Sequence, residues 1–156
     1  MKYTLSVLVE NQPGVLSKVV SLFARRGYNI DSLAVGTTED PTMSRMTIVG
    51  QGDDRILEQV EKQLNKVIPV IKVRSLGQDA ATAGLLLVKV ACDPQTLGKV
   101  NEIAALMQAK VVDVSKATVT LQYAGEHDKC ETLCGLLRPY GIREIARTGV
   151  IALERG

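Results

Sequence analysis

Aromatic residues are nearly missing from this chain: one Phe, four Tyr and no Trp in 156 residues. Its core must therefore be built from Val, Ile, Leu and Ala. RNA binding on a sheet face is disfavoured, because bases stack on sheet aromatics and the lone Phe23 falls at a helical position. Histidine is almost absent too, with one residue. An excess of charge of one sign is also lacking: 19 Lys and Arg stand against 17 Asp and Glu, a formal net charge of +2. That balance holds within each half and excludes nucleic acid as the main partner, since phosphate binding needs a concentrated basic surface. No apolar run has transmembrane length, and MKYTLSVLV reads directly into an alternating strand rather than a signal peptide. A cytoplasmic protein without a membrane is the expectation. The three cysteines, Cys92, Cys130 and Cys134, are odd in number and lie in apolar patterns, which reads as reduced thiols.

What is present is a repeated pattern. Leu5, Val7 and Val9 alternate with polar residues as a strand does, and Glu10-Asn11-Gln12-Pro13-Gly14 is turn chemistry. Leu16, Val19, Val20 and Phe23 then recur at helical spacing up to Gly27, which reads as a C-cap. Strands are expected over 30–36 and 43–49. Asp53 is placed to cap a helix carrying Leu57, Val60, Leu64 and Val67, and 70–73 closes as a fourth strand. The order β-α-β-β-α-β predicts a ferredoxin-like α+β domain over 1–76. Small polar residues mark 77–84 as a linker. The same order then recurs over 85–156: strand, helix (Leu97 to Met107), two strands, a helix striped by Cys130, Leu133, Cys134 and Leu137, and strand residues from Ile142 to Leu153 interrupted by Gly149. Two domains of about 75 residues each bury little surface alone, so pairing of open sheet edges or faces between chains is expected.

The loop from Asn11 to Gly14 is the first candidate site. A helix start offers unpaired backbone N–H groups to a carboxylate. Gly14 removes the Cβ that would keep a ligand off the backbone. Asn11 and Asn29 are neutral groups that can bond an ammonium or a carboxylate. An ordinary strand-to-helix turn uses the same residues, and spacing alone does not separate the two readings. Arg25, Arg26 and Arg45 are open either as partner contacts or as solvated charge. His127, Cys130 and Cys134 share a helical face, but the cysteines lie on the apolar stripe, so core packing outweighs a zinc site. Glu39-Asp40 and Asp53-Asp54 stand where carboxylates cap and solvate. No phosphate-binding glycine loop and no nucleophile elbow is present, and no catalytic residue is assigned.

The stretch LVENQPGVLSKVVSLFARRGYNIDSLAVG, residues 8–36, resembles the opening of an ACT domain, a module that binds amino acids. With TEDPTMSRMTIVG, LEQVEKQLNKVIPVIKV and the later Arg143-Glu144-Ile145-Ala146-Arg147-Thr148-Gly149, nearly the whole chain is similar to the small regulatory subunits of acetohydroxyacid (acetolactate) synthase. Met107-Gln108-Ala109 departs from the family, which often has a Phe-Arg pair there. The resemblance implies a homodimer formed through ACT domains, with valine at their junction. Asn11, Gly14 and Val15 would come from one chain, and Asn29 with Ile30 from its neighbour. It further implies a catalytic large subunit as partner, activated by this chain and inhibited by valine through it. Thiamine diphosphate, FAD and magnesium are expected in that partner, since 156 residues cannot hold such cofactor domains, and no cofactor or metal is expected here. A stand-alone amino-acid sensor is the rival, though no helix-turn-helix or basic patch supports it. A small acylphosphatase-like enzyme would need a phosphate-cradling loop with a nearby Arg.

Overall fold

The computed structural model describes residues 1–156, which fall into two units: Met1–Ala81 with Gly149–Gly156, and Thr82–Thr148. In the first, the period-two segment forms β1 (Lys2–Glu10), followed by α1 (Val15–Arg25), β2 (Ile30–Thr37), β3 (Met43–Gln51), α2 (Asp54–Leu64) and β4 (Val70–Leu76). The sheet is antiparallel in the order β2-β3-β1-β4. Leu5 lies opposite Ile48, and Val7 opposite Met46. These side chains share one face and meet Val19 and Phe23 of α1 and Val60 and Leu64 of α2 in a closed apolar core. The expected βαββαβ order is therefore present, with both helices on the face that carries the alternating apolar residues.

The two helices begin differently. At α2 the Asp53 carboxylate accepts the Ile56 N–H at 3.0 Å, which satisfies one of the donors that a helix start leaves free. Asp53→Ala should cost about 1 kcal/mol of stability, read from urea unfolding midpoints at unchanged slope. At α1 the N-cap is Gly14, left-handed at φ 84°, and no side chain caps the turn. At the other end of α1, Gly27 adopts φ 70° directly after the C-cap Arg26, the left-handed exit expected there.

The second unit repeats the plan with β5 (Ala81–Ala91), α3 (Leu97–Met107), β6 (Lys110–Val114), β7 (Thr118–Gly125), α4 (His127–Leu137), a 3-10 turn (Arg138–Tyr140) and β8 (Ile142–Arg147). Its strands hydrogen-bond in the order β6-β7-β5-β8. Leu86, Val88 and Val90 pack with Leu121, Val100 and the α4 stripe of Cys130, Leu133, Cys134 and Leu137. Both α4 thiols are buried there, and burial pushes both pKa values up, so they behave as small apolar groups. Gln108 ends α3 in the left-handed conformation at φ 58°.

Two expectations about the chain's punctuation need correcting. The segment 77–84 is not an open linker. A turn closes it where the Ala80 N–H bonds the Gly77 carbonyl at 3.2 Å, and β5 already runs from Ala81, with Gly84 opposite Gly125 in its ladder. Small residues suggested slack, but strand pairing depends on a partner 41 positions away, which local composition does not encode. The strand residues 142–153 are interrupted at Gly149 as expected, with β8 (Ile142–Arg147) before it and β9 (Ile151–Leu153), which also pairs β5, after it. What changes is the domain end, because residues 149–156 belong with the first unit.

Candidate functional site

Asn11, Gly14 and Val15 come together where β1 turns into α1. The Asn11 N–H donates to the Thr42 carbonyl at 2.8 Å, and its side-chain Nδ2 donates to the Pro41 carbonyl at 3.1 Å. Only the amide nitrogen can donate to a carbonyl, so these contacts fix the rotamer and leave Oδ1 as a free acceptor on an exposed residue. Val15, the first residue of α1, is buried in the core and anchors the turn from beneath. Beyond its own chain neighbours, no protein atom lies within 4 Å of where a Cβ would stand on Gly14. An open space thus sits directly over an uncapped helix start, where N–H groups and the dipole favour a carboxylate. An acceptor able to take an ammonium stands beside it.

The Pro41–Thr42 loop that holds Asn11 is a part of the site that the local sequence does not mark. Its organiser is Asp40, whose Oδ1 accepts the Thr42 hydroxyl at 2.7 Å and the Thr42 N–H at 2.9 Å, and these bonds hold its carboxyl below the usual carboxylate range. A depressed pKa stabilises the fold above the ordinary Asp range, and the contribution is lost as pH falls through the lowered value. Thr42→Val should return the Asp40 titration, followed by carboxyl-carbon NMR, towards its ordinary position. The signal was invisible along the chain because Asn11 and Pro41 are 30 positions apart.

Asn29 and Ile30 do not join this cluster within one chain. Ile30 lies opposite Gly50 at one end of β3, while Glu10, next to Asn11, lies opposite Met43 at the other. Seven residues of strand separate those ends, about 24 Å at the usual rise. Asn29 is exposed, its Nδ2 donating to Asp31 Oδ1 at 2.9 Å with its own Oδ1 free, and Ile30 packs against the core. The β2 edge between the two ends is open at Val35 and Thr37, while Gly149 lies against the Leu33 backbone. Thr38 N–H bonds the Met43 carbonyl at 3.0 Å to close the β2–β3 hairpin. Counting back by twos, residues 36, 34 and 32 turn their backbone groups to β3, and Leu33, Val35 and Thr37 turn theirs to the edge.

Two shallow grooves lie on the helical side of this unit, one of about 570 Å³ lined by Leu22, Arg25, Arg26, Tyr28, Gln59 and Gln63, the other by Ser17, Lys18, Ser21, Ala24, Arg25 and Val67. Neither includes Asn11, Gly14, Val15, Asn29 or Ile30. A pocket whose walls belong to two chains is concave only when both are present. Arg25 and Arg26 are exposed, while Arg45 is engaged within the chain, donating to Ser6 Oγ at 2.7 Å. In the second unit Glu131 and Arg147 pair at 2.8 Å, and that bond lowers the Glu131 pKa and raises that of Arg147. No three His, Cys, Asp or Glu residues gather so as to hold a metal ion, and no helix is long and apolar enough to cross a membrane.

Known proteins of similar sequence carry both units. Residues 5–72 match the model of the acetohydroxyacid synthase small subunit-like ACT domain, and residues 83–156 that of the small subunit of acetolactate synthase. The chain is 48% identical to a probable acetolactate synthase small subunit of Archaeoglobus fulgidus, over 100% of this chain and 98% of the relative. It is 53% identical to the acetolactate synthase small subunit of Mycolicibacterium smegmatis, over 99% and 91%. The crystal structure of the acetolactate synthase small subunit from Thermotoga maritima superposes with a TM-score of 0.94 at 36% identity, covering 100% of this chain and 98% of that one.

Proposed function

Because this chain belongs to the family of acetolactate synthase small subunits, we propose that it activates a catalytic large subunit and makes it subject to inhibition by valine. In this family the chain is regulatory. The cofactors of the carbon–carbon bond-forming reaction belong to the catalytic subunit, and the pathway is that of the branched-chain amino acids. The cytoplasm is the expected compartment for such a complex.

The observation that carries the ligand reading is the uncapped start of α1 beneath open space, with the free Oδ1 of Asn11 beside it. An amino acid presents one carboxylate and one ammonium, and this corner offers a partner to each. The separated residues suggest how the pocket closes. If two β2 edges pair antiparallel about Val35, Asn29 of one copy stands level with the Pro41 end of the hairpin in the other, where Asn11 is tied. Val35 and Thr37 have their backbone groups free for such a ladder, and Val35 is about half exposed. Ile30 would then supply apolar contact to the side chain. One methylene is worth about 1–3 kcal/mol in such a pocket, so valine, leucine and isoleucine overlap in affinity.

The deciding experiment measures acetolactate formation by the cognate catalytic subunit with and without this chain across a valine titration. Activation that valine reverses supports the reading. Activation that valine leaves untouched removes the ligand assignment, and no activation removes the partner.

A further inference from the structure

The first sheet has helices on one face only, yet its other face is not bare. Ser6 and Thr47 lie opposite each other in the β1–β3 ladder and point away from Leu5 and Ile48, and both are buried. Arg45 donates to Ser6 Oγ there, and the segment 149–156 lies on the same face. Gly149 lies against the backbone of Leu33, and Val150 N–H donates to Ser32 Oγ at 2.9 Å, both on β2. Ala152 of β9 is buried, and β9 pairs β5 and lies next to β1. Glu154 pairs with Arg74 on β4, and Arg155 Nε donates to the Asp79 carbonyl. From Val150 to Glu154 the chain thus crosses from one edge strand to the other. Three strand spacings are about 14 Å, which is what four extended residues cover.

Ser32 stands two residues beyond Ile30, and Asp31 between them is where the β2–β3 register shifts. A strand start bent by a bulge is a place where a ligand can alter geometry. We propose that residues 149–156 form a strap whose seating on Ser32 and Leu33 reports occupancy of the amino-acid site, an inference that rests on the valine reading above. Ligand at Asn29 and Ile30 fixes the start of β2 in the form that seats the strap. The seated strap in turn restrains Thr148, joined to Gly149 by a peptide bond, and with it the unit that ends there. Coupling of this kind is reciprocal: whatever unseats the strap weakens the ligand by the same factor.

Gly149→Ala is the sharp test. A Cβ there meets the carbonyl of Leu33 closer than packed atoms approach, and the obstacle is backbone, so the strap must lift. In the complex with the catalytic subunit, Gly149→Ala should leave activation within about twofold. It should raise the valine concentration for half-inhibition roughly tenfold and lower valine affinity of the full chain, by calorimetry, by a similar factor. Ser32→Ala, which removes one hydrogen bond and no volume constraint, should move both in the same direction by less. In the unaltered chain, valine should slow hydrogen exchange across 149–156. Exchange unchanged by bound valine, or Gly149→Ala inhibited at the original concentration, overturns the strap while leaving the site. An unaltered chain that does not bind valine overturns the site and the strap with it.

Discussion

Gly14→Asp is expected to abolish the valine response while the catalytic subunit is still activated. The substitution places a carboxylate in the open space over the α1 start, where the ligand's own carboxylate is proposed to sit. Two like charges about 4 Å apart repel by about 4 kcal/mol at the effective dielectric of a protein surface. Allowing for screening and for adjustment of the side chain, a loss of roughly 100-fold in valine affinity is the expected size. The fold should survive, because no atom beyond the chain neighbours lies within 4 Å of the new Cβ and Asp is among the residues that tolerate a left-handed backbone. Gly14→Ala separates charge from strain: it carries the same φ of 84° without the carboxylate and should weaken valine far less. The check is a valine titration of acetolactate formation for both variants beside calorimetry on the free chain. Full valine sensitivity in Gly14→Asp would place the ligand elsewhere.

The largest stability effect should come from Phe23→Ala. Phe23 is 1% exposed, the single Phe of the chain, and its ring meets Tyr28 edge-on at 6.0 Å. With no Trp and so few rings, nothing nearby is large enough to fill the hole, and aliphatic neighbours on a sheet relax only partly. A truncation of this kind costs about 3–5 kcal/mol, a large share of the 5–15 kcal/mol that holds a typical domain. At about 4–8 °C per kcal/mol for a unit of this size, the melting temperature should fall by at least about 12 °C. Calorimetry of the full chain reads this directly. If the two units unfold separately, only the transition belonging to residues 1–81 and 149–156 should move.

The alternation and helical stripes make most of the architecture legible in the sequence, because each element's apolar spacing states which face it buries. Asp53 and Gly27 could be assigned from residue type alone, since capping is settled within a few positions. What stayed hidden depends on partners far along the chain. The tie between Asn11 and Pro41, the pairing that makes 81–84 a strand, and the departure of 149–156 from the unit that precedes it are of this kind. Gly149 looked like a break in a strand, and only the backbone of Leu33 explains why a glycine stands there. The candidate site was half legible. The sequence located Gly14 over a helix start, while the separation of Asn11 from Asn29 by the length of β3 emerged only from the register.

The contact between Ser32 and Val150 spans 118 positions, and that separation sets an order of events during synthesis. The strands and helices of residues 1–76 can collapse as soon as they leave the ribosome, since all their ladder partners lie within that stretch. The face of β2 at Ser32 and Leu33 stays uncovered until residues 149–156 have been made. Closing so long a loop adds only logarithmically to the entropic cost, but it comes late. The nascent chain therefore carries a half-finished first unit through the whole translation of its second, with one sheet face open to chaperones or to a neighbouring nascent copy.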